Sequence, residues 1–415
     1  MTLKIVYPVC CGIDVHKSFV VACIAATNDK GITTYQKRRF STFTKDLRLL
    51  ALWLADHQCT NVCMESTGKY WIPVFNILES SCCVVLTHPK YVKAIRGKKT
   101  DAKDAKWIAD LFKHGLVSGS FIPPLPIRQL RDLMRYRVKL TSYSAGEKNR
   151  AQNCLTVSNI QLDHVFSDVF GKSASALTEQ IVSHLGGSFD VTPFVDGRAK
   201  TPVEIIQKAV DGVMHPEQAE KLKIIRCHLD NLSLCRAELD SLVLCLAEQF
   251  RPQYELVMTV PGIQLLSAIA ILSEIGVDMS VFPTAKHLCS WAGLTPQNNE
   301  SAGKKKTTRI NRAGAYIKPL FVQCANAVIR SDKHPEIKKR YLSLKKRRGH
   351  KKALIAICRR LLTAIYAILK KAEPYNPALY QKAETLPSHR ELSLEEAIAF
   401  VQRQGFTVAI PATTS

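Results

Sequence analysis

Apolar and β-branched residues cluster over residues 4–27 in two stretches on either side of a Gly12–Lys17 turn, which predicts two strands. TTYQKRRFST (33–42) extends the pattern to a third strand. LRLLALWLADH (47–57) has helical spacing, TNVCMEST (60–67) reads as a strand, YWIPVFNILESS (70–81) as a helix and CCVVLTHP (82–89) as a strand. Strands and helices that alternate after an initial meander predict an α/β domain with a mixed sheet. It spans 1–125 and closes at the proline-rich FIPPLPIRQ.

Beyond that point the pattern is helical and basic. A looser stretch, 185–220, carries Gly, Pro and mixed charge. Leu222, Ile225, Leu229, Leu232, Leu239, Val243, Leu246 and Phe250 then follow three-four spacing, with Arg236 as the break. This predicts either a coiled-coil seam or the packed face of an intramolecular hairpin, within a helical segment over 126–254. A third segment, 255–372, opens on VMTVPGIQLL. Pro261-Gly262-Ile263 between helical patterns resembles a helix-hairpin-helix turn, whose amides can meet phosphates, although Pro-Gly taken alone favours an ordinary turn. KKRYLSLKKRRGHKKALIAICRRLL closes the segment as a basic helical region, and 373–415 reads as a tail.

With 415 residues, the chain is long enough for two or three cores. Its formal net charge of +23, from 58 Lys and Arg against 35 Asp and Glu, points to a polyanionic partner, nucleic acid before an anionic membrane. No apolar run is long enough to span a bilayer and the first residues lack a signal-peptide pattern, so the expectation is a cytoplasmic protein. The 14 cysteines lack metal-binding spacing and read as small core hydrophobes in a reducing compartment.

Charge changes the picture most at four acids. Asp14 follows an apolar stretch, Glu65 ends a strand before a Gly-containing turn, and Asp101 and Asp104 sit three apart on one helix face in KTDAKDAKWIADLF. Taken singly, each has an ordinary reading: Asp14 as a turn residue, Glu65 as a paired structural acid, Asp101 as a helix N-cap with Asp104 in its first turn. Together, two strand ends and one helix face would gather four carboxylates at a sheet edge. Such a cluster needs a cation, and hard divalent ions on carboxylate oxygens suit phosphoryl chemistry.

GIDVHK, MESTG and KTDAKDA, followed by VFGKSASAL, PGI, WAGLTP and ESAGKKKTTRINRAG, resemble the transposases of the insertion sequence 110 family, bridge-RNA-guided serine recombinases with an N-terminal RuvC-like domain. The resemblance covers about 10–120 and 255–370. It implies an RNase H-like mixed-sheet domain, a helical coiled-coil middle and a mainly helical C-terminal transposase domain. It implies that Asp14, Glu65, Asp101 and Asp104 hold Mg2+ or Mn2+, and that Ser301 is the nucleophile. It also implies donor and target DNA as substrates, a structured guide RNA as partner, and a dimer or synaptic tetramer in which acids and serine come from different subunits.

Beside the resemblance, the residues around Ser301 suggest an exposed loop of small side chains, with Lys304, Lys305, Lys306, Arg309 and Arg312 placed to hold phosphates. Ser290, in LCSWAGL, has apolar neighbours that favour a buried packing role. Three other activities compete: a RuvC-like metal-dependent structure-specific nuclease, a non-catalytic nucleic-acid-binding protein, and a site-specific DNA invertase. Two departures from the family pattern are the extra length over 150–220 and Ala302 after the serine, where Gly is common.

Overall fold

The computed structural model describes residues 3–66, 68–89, 100–186, 189–296, 299–301, 304–307, 309–310 and 313–378, with 398–399, 401–402 and 405. The chain divides into two compact units, 1–249 with 272–276, and 250–271 with 277–415. The tail expected over 373–415 lies largely outside the described residues.

A five-stranded sheet organises the first unit. Its strands are β1 Val9–Val15, β2 Phe19–Thr27, β3 Thr33–Ser41, β4 Asn61–Glu65 and β5 Cys83–Thr87, in the order β3-β2-β1-β4-β5. β1, β2 and β3 form an antiparallel meander, and β4 and β5 run parallel to β1. The helices α1 Thr44–Asp56 and α2 Trp71–Leu78 make the crossovers that parallel neighbours require. β1 and β2 read as nearly unbroken apolar runs because both sheet faces are covered. Cys11, Ile13 and Val15 pack with Val20, Ala22, Ile24, Val62 and Met64 beneath α1 and α2. On the other face Cys10, Ala25 and Cys63 meet Ile108, Ala109 and Phe112 of α3 Asp101–Lys113. β3 is one of the two edge strands, and its exposed Lys37, Arg38 and Arg39 disfavour pairing with another chain.

Gly12, expected at the head of a turn, instead lies inside β1. A Cβ there would sit 2.3 Å from both the Ala105 carbonyl oxygen and the Ala109 nitrogen, so the glycine lets the α3 backbone lie directly on the strand. The actual turn is His16–Ser18, and Asp14 is the penultimate residue of β1.

The rest of the first unit is helical: α4 Leu125–Val157, α5 Leu162–Val165, α6 Lys172–His184, α7 Val203–Val210 and α8 Pro216–Ala247. The apolar face of α8, including Leu232, Leu239 and Val243, is buried. Arg137 clasps Asp240 through two nitrogens, and Glu147 lies 3.1 Å from His228. The residue numbers rise along α4 as they fall along α8, so the two long helices pair antiparallel within the chain. The intramolecular hairpin is therefore what the seam builds.

The stretch 185–220 is less loose than its composition suggests. Val191, Ile206, Val210 and Met214 join Cys154, Leu155, Ile160, Leu177 and Ile181 in one core. Its apolar residues come from short segments broken by Gly and Pro, so the core arises from tertiary contact, not local periodicity.

In the second unit, α9 Arg251–Met258, α10 Leu265–Ile275, α11 Ala285–Trp291, α12 Ile317–Arg330, α13 Pro335–Arg348 and α14 His350–Lys371 are joined by a hairpin of β6 Asn299–Ser301 and β7 Lys304–Thr307. The last four residues of α10 fall in the first unit. α14 is the central helix of the second unit: Ile357, Cys358, Leu361 and Ile365 are buried, and the Tyr366 hydroxyl donates to the Phe282 carbonyl at 2.9 Å. The Pro261-Gly262-Ile263 turn does stand between two helices. Gly262 has φ +79°, and a Cβ would meet Val328 Cγ2 at 2.5 Å and the Cys324 carbonyl oxygen at 2.7 Å. That side of the turn is packed on α12. Among the described residues no helix is long and apolar enough to cross a membrane.

Candidate active site

β1 and β4 are parallel neighbours with Ile13 opposite Met64, so Asp14 and Glu65 are the next residues along each strand and reach the same sheet edge. Side chains alternate along a strand. Cys10 and Cys63 face α3, and Asp14 and Glu65 share that face by parity. The close contact at Gly12 brings the first turn of α3 over this edge, where Asp101 and Asp104 begin the helix. The N-cap is Thr100, not Asp101, and both acids lie where the helix dipole favours negative charge.

The structure thus places all four expected acids at one end of the sheet. Asp14 is the most buried of them, and Asp101 is half exposed. Burial raises the Asp14 carboxyl above the ordinary carboxylate range. His16 opposes that shift, while Asp101 and Asp104 add to it, so both helix acids are close enough to act electrostatically on Asp14.

Sequence reasoning misses His16. Its Nε2 lies 3.1 Å from Asp14 Oδ2 and 3.4 Å from Asp101 Oδ1, and the three residues form a group of ligand atoms within 4.8 Å of one another. The signal is present in GIDVHK: a residue two beyond Asp14 at a strand end falls on the same face. The ring is braced by Phe19, at 4.5 Å between centroids, and Phe19 is covered in turn by the Arg39 guanidinium at 3.7 Å.

The second expected centre has a different local form from the one anticipated. Ser301 is the last residue of strand β6, opposite Lys304 of β7, rather than part of an open loop. The two-residue connection, Ala302-Gly303, suits a tight hairpin, and it lies outside the described residues. A bridge between Pro296 and Ile310 closes the base. For Ser301, Lys304, Lys305 and Lys306 the backbone is described and the side chains are not; Arg309 is exposed, and Arg312 lies outside the described residues. Ser290, expected to be buried, is exposed on α11. Leu288 and Cys289 form the buried face of that short helix, which turns Ser290 away.

Comparison with known proteins supplies the context for this geometry. The DEDD transposase model of IS110 elements, described as Transposase, matches residues 11–160, and the model of the Transposase IS116/IS110/IS902 family matches 254–342. A pilin gene-inverting protein of Moraxella bovis is 22% identical over 383 residues, 89% of this chain and 98% of that protein. The transposase for insertion sequence element IS1111A of Coxiella burnetii is 28% identical over 122 residues, 29% of this chain and 33% of that protein. An uncharacterized 44.8 kDa protein of insertion element IS116 from Streptomyces clavuligerus is 24% identical over 302 residues, 68% of this chain and 73% of that protein. The first match contains the strands and helix that bear the four acids, the second contains the hairpin that bears Ser301, and together they take in more than half of the chain: it belongs to the IS110 family of transposases, enzymes that act on DNA.

Proposed function

We propose that this transposase cuts and rejoins DNA strands through a phosphoserine intermediate, with the sheet domain (1–125) supplying a divalent-metal site and the segment 255–372 supplying the serine. The observation that carries the reading is the gathering of Asp14, Glu65, Asp101 and Asp104 at one sheet edge. The order β3-β2-β1-β4-β5, antiparallel then parallel, supports an RNase H-like assignment for that domain.

The donor set suits a hard divalent cation. Carboxylates crowd a partly buried edge, the most buried is disfavoured as an anion, and an imidazole nitrogen faces two of them. Asp14, Glu65, Asp101 and Asp104 would hold Mg2+ or Mn2+, which when bound neutralises charge on a phosphodiester and favours an ionised hydroxyl nucleophile. The chain's own residues do the rest. Ser301 Oγ attacks phosphorus and loses its proton, a phosphoserine bond forms, and the broken phosphodiester leaves as a free DNA hydroxyl. After strand exchange a DNA hydroxyl attacks the same phosphorus and Ser301 regains its proton. Lys304, Lys305, Lys306, Arg309 and Arg312 hold the flanking phosphates. In a dimer or tetramer the acids of one subunit serve the serine of another, and a structured guide RNA pairs with donor and target DNA.

Incubation of the protein with Mg2+, transcript RNA from the flanking DNA and labelled junction DNA, followed by denaturing gels, tests this. A covalent protein–DNA adduct is expected and should vanish in both Ser301→Ala and Asp14→Ala. Cleavage without an adduct, unchanged in Ser301→Ala, would sink the serine mechanism and leave a hydrolytic RuvC-like nuclease. The match over 98% of a pilin gene-inverting protein favours a second reading of the outcome, site-specific inversion, with the same strand chemistry and a different arrangement of sites.

A further inference from the structure

Four acids stand at the sheet edge, yet the side chain that touches two of them is an imidazole. We propose that His16 Nε2 is itself a metal ligand beside Asp14 and Asp101, and that this nitrogen makes the site select Mn2+ over Mg2+. The inference rests on the proposal that the acidic edge binds a divalent cation.

Three observations support it. The first is spacing. Adjacent donors in an octahedral shell at about 2.0–2.2 Å from the ion stand about 2.8–3.1 Å apart. His16 Nε2 lies 3.1 Å from Asp14 Oδ2 and 3.4 Å from Asp101 Oδ1, close to that spacing for each pair, and the ligand atoms of all three residues lie within 4.8 Å of one another. The second is preorganisation. Phe19 packs 4.5 Å from the imidazole centroid, and the Arg39 guanidinium lies 3.7 Å from the Phe19 ring, contacts that brace the imidazole beside the acids before any ion arrives. A ligand already fixed in place loses less freedom on binding. The third is topology. His16 opens the turn after β1 and its amide donates to the Phe19 carbonyl at 2.9 Å, so the backbone that sets Asp14 also sets His16.

Donor chemistry gives the consequence. Mg2+ binds oxygen, demands near-ideal geometry and keeps its water, whereas imidazole nitrogen suits the first-row transition ions. A site of carboxylates alone would accept both ions on similar terms. One with a nitrogen would favour Mn2+, the transition ion closest to Mg2+ in its liking for oxygen and a convenient spectroscopic probe.

The test is direct binding to the full-length protein, with no DNA or RNA present. Bound Mn2+ is counted from the loss of the free-ion electron paramagnetic resonance signal, Mg2+ is measured by competition, and pulsed spectra of bound Mn2+ report nitrogen in its first shell. Wild type should show nitrogen modulation that is absent in His16→Ala and His16→Gln. His16→Ala should weaken Mn2+ binding by about tenfold or more, and Mg2+ binding by less than about threefold. Bound Mn2+ without nitrogen modulation, or equal losses for both ions in folded variants, would overturn the role of His16 and leave the acidic site standing. Wild-type protein that binds neither ion, or Mn2+ binding that survives Asp14→Asn unchanged, would overturn the metal site and the inference with it. Circular dichroism of each variant establishes that it is folded.

Discussion

Asp14 and Cys63 show how much one position can and cannot disclose. Both lie on the face toward α3, yet one stands at the acidic edge and the other fills a core. Asp14 alone reads as a turn residue and becomes a candidate only beside Glu65, Asp101 and Asp104. His16 does not, since a lone histidine says little until its neighbours in space are known. The cysteines read as small hydrophobes, and nine of the fourteen are buried. Burial pushes the Cys10, Cys59 and Cys63 thiols up to about 12. Unfolded thiols ionise near 9, so between about pH 9 and 12 the unfolded chain gives up protons that the folded chain retains. Stability of the first unit should therefore fall as pH rises through that window, by roughly one kcal/mol per pH unit for each such thiol. Urea midpoints under reducing conditions at pH 8 and pH 10.5 measure this, and Cys63→Ala should flatten the decline. A midpoint that does not move would remove the argument.

At the scale of elements, the order of strands and helices from residue 4 to 113 is legible because each carries a clear period and punctuation. Register is not. Gly12 looks like turn chemistry in sequence, and only the approach of α3 explains why a glycine stands in the middle of a central strand. That close approach makes a sharp prediction. Gly12→Ala should cost about 3 kcal/mol or more, because the clash is with backbone that cannot rotate away. It should also weaken divalent-ion binding by moving Asp101 and Asp104 relative to Asp14. Chemical denaturation and ion titration of the variant measure both effects; wild-type values for each would show that α3 docks elsewhere. The long seam of α8 illustrates the opposite limit. Its periodicity announces a packed face, but period alone cannot distinguish a partner in the same chain from one in another, and the Arg137–Asp240 and Glu147–His228 pairs settle it.

Across the whole molecule, charge is the property most accessible from sequence. The excess is concentrated where α13 meets α14: Lys345, Lys346, Arg347, Arg348, Lys351 and Lys352 are all exposed about Gly349. Replacing Lys345, Lys346, Arg347 and Arg348 with alanine should reduce the slope of log K against log salt for DNA binding by about 0.9 for each phosphate that is no longer neutralised. Fluorescence anisotropy between low and moderate salt reads that slope, and an unaltered slope would place the nucleic acid on another surface. The paired helices carry a different consequence. α4 has 33 residues and α8 has 32, so each runs about 50 Å, outward and back, with α5, α6 and α7 strung between their far ends. Everything from Ser158 to His215 begins and ends at that distant tip. A tag, a fluorescent protein or a second binding module spliced there would ride on the enzyme as cargo, with the sheet that carries the acids untouched.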